Sequence, residues 1–275
     1  MELASTRKLL SWLFAFIIAL GSAAVITALT AGSTLASSEY FQKNAVTPAV
    51  VSECEKQLDA KFSVLAEESG IPKSVFLTVT NEYPVDGSMK TAFQNVFSND
   101  NPELYTNELV NHFEQLCTDY LDGNEIKYNK KHVKTAAQEA AKIFSQTVGL
   151  HNMGATGDKI QRLKDFSSKL IVTGLAAALL GAGFTLLLYS NKKKAQVYIY
   201  SGISGGAAGT ALGGIICRLH SPAGAVNVIP KAYNSIVSTL FAKSFTTLAL
   251  ASLAVAALFW IIMLLTYRQQ RKKRK

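Results

Sequence analysis

Residues 202–214 read GISGGAAGTALGG, and six of those thirteen are glycine. Glycine-rich runs cradle phosphates in many nucleotide-binding proteins, so a phosphate loop is the first reading to test. A P-loop requires Gly-x-x-x-x-Gly-Lys-Ser/Thr, and the run holds no lysine. A dinucleotide loop requires Gly-x-Gly-x-x-Gly after a strand, and neither that spacing nor that context is present. A helical reading fits better. Gly202 and Gly206 are four apart, and so are Gly205, Gly209 and Gly213. These are two overlapping small-x-x-x-small faces, which let helix backbones pack closely within a membrane. Ala177 and Gly181 offer matching small positions in the preceding apolar segment.

Working outward, the run is part of one of four long stretches nearly free of charge: Leu9–Ala36, Leu170–Ser190, Gln196–Cys217 and Ser244–Tyr267. Each reaches the roughly 20 residues that a helix needs to span a hydrocarbon core. The first is longer than the roughly 7–15-residue apolar region of a secretory signal, so it reads as an uncleaved signal anchor. The expected fold class is an all-α membrane protein with four transmembrane helices and a small helical extracytoplasmic domain between helices 1 and 2. The segments are 1–36 (anchor and first span), 37–168 (outer domain), 169–190 (second span), 196–217 (third, glycine-rich span), 218–243 (outer loop), 244–267 (fourth span) and 268–275 (basic tail).

Charge supports this division. The chain carries +9 overall, yet residues 37–168 hold 18 acids against 13 bases, while the rest holds 15 bases against one acid. An acidic domain is joined to a basic membrane part. Short basic segments stay in the cytoplasm. Arg7 and Lys8, then Lys192, Lys193 and Lys194, then Arg271, Lys272, Lys273, Arg274 and Lys275 fall on one side if there are four spans and both termini are cytoplasmic. Lys192, Lys193, Lys194 and the tail bases Arg271, Lys272, Lys273, Arg274 and Lys275 read as lipid-facing anchors. A basic octapeptide against a membrane, with no fold around it, does not point to nucleic acid. The expected location is the plasma membrane, multi-pass. The absence of any Asn-x-Ser/Thr sequon inclines the reading toward a bacterial cell membrane.

The outer segment is punctuated as helices. Thr47-Pro48 starts one that Gly70 ends; Asn129 starts another that Gly149 ends. Asp86-Gly87 reads as a turn, with Ser88 capping the helix after it. Asn101-Pro102 reads as the cap of a helix that Gly123 ends. VFLTVT is the only β-like run. Val133, Ala137, Ala140, Phe144 and Val148 share one helical face, as expected of a bundle core. Cys54 and Cys117 lie on different helices; an extracytoplasmic setting permits a bridge, which would close a loop of about 60 residues and contribute roughly 4 kcal/mol in the chain-entropy view. Two buried thiols are the alternative. In the outer loop, Tyr233, Ile236, Val237, Leu240 and Phe241 fall on one face, read either as an interfacial amphipathic helix or as an early start of the fourth span.

No catalytic set emerges. His112, Glu114 and Cys117 have the wrong spacing for a shared metal, and no HExxH, paired CxxC or Gly-x-Ser-x-Gly occurs. No cofactor, metal or enzymatic activity is expected. The spans lack interior acids, which disfavours a carboxylate-driven transporter. The expectation is an accessory, scaffold or sensor subunit of a membrane complex. Its outer domain would bind a ligand or partner, and its spans would pack against another membrane protein or a second copy. The alternative is a small-solute channel or transporter formed by self-association, its pore lined by Ser201, Ser204, Thr210 and the glycine backbone.

Overall fold

The computed structural model describes residues 2–98, 100–151, 154–220 and 232–272. The protein is 87% helical, with no strand among the described residues. In chain order the helices are α1 (Glu2–Ser33), α2 (Ser38–Ala45), α3 (Pro48–Ser69), α4 (Lys73–Leu77), α5 (Val79–Glu82), α6 (Val85–Ser98), α7 (Asn107–Gly123), α8 (Lys130–Val148), α9 (Gly154–Leu188), α10 (Lys192–Leu219) and α11 (Ala232–Lys272). They form two compact units. One gathers Met1–Ala36, Arg162–Ser221 and Phe241–Lys275; the other gathers Ser37–Gln161 and Pro222–Leu240.

The first unit is a bundle of long helices. Ser5–Ser33 of α1, Gly157–Leu188 of α9 and Ile236–Gln269 of α11 are long and apolar enough to cross a membrane. The 28-residue α10 is long enough, but glycine and hydroxyl residues dilute its apolar content and keep it out of that set.

Glycine decides which helices touch in this bundle. A methyl group added to Gly21 would lie 2.5 Å from the Gly174 carbonyl oxygen, and one added to Gly181 would lie 2.9 Å from Ile18. Rising numbers on α1 thus meet falling numbers on α9, so the two run antiparallel. A methyl on Gly202 would sit 2.6 Å from the Ala15 carbonyl oxygen, and one on Gly206 would collide with the Ala19 carbonyl. Helix α10 therefore runs parallel to α1. Gly214 closes on α11 at Phe245 and Ala249, and Ser204 Oγ donates to the Ala256 carbonyl at 3.1 Å, which makes that pair antiparallel. Side chains at these glycines would force the helices apart and forfeit the dispersion contacts that hold a bundle in lipid. Gly181 does not match α10, as the sequence suggested; it closes on α1, and Ala177 is half-buried.

Helix α11 continues without a break from Ala232 through the apolar span. From Ala232 onward, then, the segment before the last apolar stretch is the early start of α11 rather than a separate amphipathic helix. Residues 221–231, with Pro230 and Lys231, lie outside the described residues.

The second unit is built from α2 to α8 around large aromatic side chains. Phe62, Phe76, Phe93, Phe113 and Phe144 are all at most 1% exposed. Phe62 lies 5.7 Å from Phe76 and 6.0 Å from Phe113, ring centre to ring centre. The expected face of α8 is buried at every position: Val133, Ala137, Ala140, Phe144 and Val148. Gly70 ends α3 with φ of 71°, a conformation that costs a side chain about 1 kcal/mol. Asn129 caps α8 by accepting from the Lys131 amide at 2.9 Å.

Three sequence signals resolve differently. Asp86-Gly87 is not a turn; both residues lie in the first turn of α6, where the Asp86 carboxylate meets the Lys90 ammonium at 2.9 Å. Ser88 is correspondingly buried inside the helix rather than capping it. The VFLTVT run is helical, because Val75, Phe76 and Val79 are buried from one side only, as α4 and α5. Asn101-Pro102 does not open α7. The start is Thr106, whose hydroxyl accepts from the Leu109 amide at 3.1 Å. Asn101 instead folds back, its side-chain oxygen accepting from the Glu103 amide at 3.0 Å.

A carboxylate-rimmed cleft as candidate functional site

The loop between α6 and α7 is clamped from several directions. Asn95 of α6 donates its side-chain amide to the Asn101 carbonyl at 2.8 Å, and the Leu150 amide donates to the Pro102 carbonyl at 3.0 Å. Ser145 donates to the Glu103 carbonyl. Gly149 permits this approach, since a methyl there would lie 2.5 Å from the Glu103 carbonyl oxygen. Leu104 is held at φ of 59°. That conformation costs a non-glycine residue roughly 1–3 kcal/mol and persists only where its surroundings impose it.

Beneath this loop lies a cleft of about 450 Å³, within the range of small-molecule sites. One face of α6 lines it with Gly87, Ser88, Thr91 and Asn95; the loop gives Asn101, Leu104 and Thr106. Phe144 and Leu109 supply buried apolar surface, and Glu82, Tyr83 and Glu108 supply charge and a phenol. Burial raises the Tyr83 pKa above its ordinary value, helped by the carboxylates of Glu108 and Glu82. The phenol therefore stays neutral and can donate a hydrogen bond at any physiological pH. Behind it stands His112 of α7. Its ring lies 5.5 Å from that of Tyr83, and its Nδ1 lies 3.4 Å from a Glu82 carboxylate oxygen. His112 Nε2 is enclosed without a hydrogen-bond partner among the described residues.

Two carboxylates, a neutral phenol and amide side chains around an apolar floor suit a ligand that carries a positive group. They do not assemble an activated nucleophile with its base. Among the described residues no cluster of three His, Cys, Asp or Glu side chains has metal-binding geometry. His112, Glu114 and Cys117 follow this pattern: Cys117 is fully buried, with its thiol pushed up to about 12 by burial and then by Glu114. Sequence reading missed the grouping of Glu82, Tyr83, Glu108 and His112. Glu82 and Tyr83 are neighbours in the chain and Glu108 and His112 lie one helical turn apart, but nothing local joins the two pairs.

The other singled-out residues are placed as follows. Cys54 and Cys117 are thiols, each 0% exposed, so the expected bridge gives way to two small hydrophobes in the core. Gly202 and Gly206 are buried, whereas nothing lies within 4 Å of a methyl placed on Gly205, Gly209 or Gly213. Ser204 and Thr210 spend their hydroxyls on backbone carbonyls, at Ala256 and Gly206. Lys194 lines a cavity with Arg7 and Lys8, while Lys192 and Lys193 line a shallower hollow with Ser190 and Asn191. The side chains of Arg271 and Lys272, and residues Lys273, Arg274 and Lys275, lie outside the described residues. The lone histidines act at helix ends: His132 meets the Ser69 carbonyl at 3.3 Å and His151 the Ser145 carbonyl at 3.1 Å. No family model, curated protein or solved structure matches the chain.

Proposed function

We propose that the protein is a multi-pass accessory or sensor subunit of a membrane complex, with a helical unit that binds a small ligand bearing a positively charged nitrogen. The cleft bounded by Glu82, Tyr83 and Glu108 carries this reading. In this arrangement α10 is the third of four spans, both termini and the Lys192–Lys194 turn are cytoplasmic, and residues 37–168 face outward across the plasma membrane. The alternating directions of α1, α9, α10 and α11 support four crossings. The acidic balance of residues 37–168 supports a cationic ligand. The channel alternative loses support, because Ser204 and Thr210 satisfy their hydroxyls within the bundle.

The test uses the full-length protein extracted in mild detergent, with two readouts. Titration calorimetry with spermidine, choline and acetate should give saturable heat with an amine and none with acetate. Glu82→Gln combined with Glu108→Gln should weaken that binding by at least about tenfold, since hydrogen bonds to a charged group are worth about 1.5–3 kcal/mol. Equal binding of acetate, or no amine binding, overturns the ligand. The same extract should retain a second membrane protein in stoichiometric amount; monomer alone overturns the accessory role.

A further inference from the structure

The end of the bundle where α1 begins, α10 begins and α11 finishes holds a cavity of about 390 Å³. Its wall includes the cations of Arg7, Lys8 and Lys194 and the phenols of Tyr189, Tyr198 and Tyr267. Among the described residues no carboxylate lines it, and none pairs with any of the three cations. This contrasts with the helical unit, where Lys73 meets Asp59 at 2.8 Å and Lys90 meets Asp86 at 2.9 Å. Like charges gathered without a counter-ion repel one another, and an anion between them removes that repulsion.

The aromatic side of the cavity is ordered. Ser11, 0% exposed, hydrogen-bonds both the Tyr189 hydroxyl at 2.9 Å and the Arg7 carbonyl at 2.7 Å. Tyr189 stacks on Tyr198 with ring centres 5.7 Å apart, Trp12 meets Tyr198 edge-on at 5.8 Å, and the Arg7 guanidinium lies 5.9 Å above the Tyr189 ring. This stack fixes Arg7 at the mouth of the cavity. Arginine matches the oxygens of a phosphate through paired N–H donors, while lysine adds point charge. Tyrosine and tryptophan are the side chains that settle at headgroup depth.

We infer that this cavity binds a phosphate group, and that the phosphate is presented by an anionic phospholipid headgroup. The ligand is a phosphodiester seated between Arg7, Lys8 and Lys194, with its acyl chains leaving along the apolar helices. This site is independent of the cleft in the helical unit and of any ligand bound there.

Native mass spectrometry of the full-length protein tests it, with dioleoyl phosphatidylglycerol, dioleoyl phosphatidylcholine, glycerol phosphate and inorganic phosphate as separate probes. One phosphatidylglycerol should remain bound under conditions that strip phosphatidylcholine. Each of Arg7→Gln, Lys8→Gln and Lys194→Gln should weaken retention by at least about tenfold, the loss of one hydrogen bond between charged groups, while Lys192→Gln and Lys193→Gln should each change it far less. Circular dichroism identifies a variant that fails to fold, and the remaining single variants then decide. Equal loss from Lys192→Gln or Lys193→Gln reduces the effect to general surface charge and overturns the site. Displacement of the lipid by equimolar glycerol phosphate or inorganic phosphate overturns the lipid source and assigns the cavity to a soluble phosphate.

Discussion

Both units are helical, and they are held together by opposite means. The helical unit buries bulk: Phe62, Phe76, Phe93, Phe113 and Phe144 are all fully buried, and Phe62 packs on Phe76 and Phe113. The bundle removes bulk: Gly21 against Gly174, and Gly202 and Gly206 against Ala15 and Ala19, bring backbones into contact. In water, fully burying a phenylalanine side chain contributes about 1.5–3 kcal/mol through the hydrophobic effect. In lipid that force between helices is absent, and close approach is what remains. The difference teaches that substitution by size should act with opposite sign in the two units. Enlarging a residue harms the bundle, and shrinking one harms the helical unit.

The largest effect is expected from Gly206→Leu. Its side chain has no space beside the Ala19 carbonyl, so α10 must leave α1. Size-exclusion chromatography of the detergent-solubilised variant should give aggregate or no recoverable protein. A monodisperse variant with wild-type thermal stability would break the close-packing account. Next comes Phe113→Ala, which should cost about 3–5 kcal/mol. Chemical unfolding followed by circular dichroism should show the shift in the helical unit; a loss under about 1 kcal/mol would show that other residues carry the core. Smallest is Gly205→Leu, one residue from the most damaging site. Nothing lies within 4 Å of a methyl there, so the thermal midpoint should match wild type, as for a surface substitution within about 0.5 kcal/mol. Damage equal to that of Gly206→Leu would erase the distinction between the two glycine faces.

That distinction marks where sequence reading reached its limit. Both glycine faces are visible in GISGGAAGTALGG, since a spacing of four is a property of the chain. Which face turns inward depends on the rotation of α10 about its axis, and that depends on α1, nearly two hundred residues earlier. The same limit applied to Gly181, matched by its small size to α10 although it closes on α1. Helix ends in the second unit were legible where the signal was local, as at Gly70 and Asn129. They failed where the loop before α7 competed for the same residues. Asn101 has an equally local use for its side chain in turning the chain, and Thr106 then caps instead.

The sequence by itself determined the division into an acidic helical segment and basic apolar helices, and the absence of familiar catalytic motifs. These rest on composition and short-range spacing. The tertiary structure decided which glycines touch, that Cys54 and Cys117 are buried thiols, and that Arg7, Lys8 and Lys194 share one cavity. It also brought Glu82 and Tyr83 beside Glu108 and His112. Such groupings join residues from separate helices, and no local pattern encodes the distance between them before the helices pack.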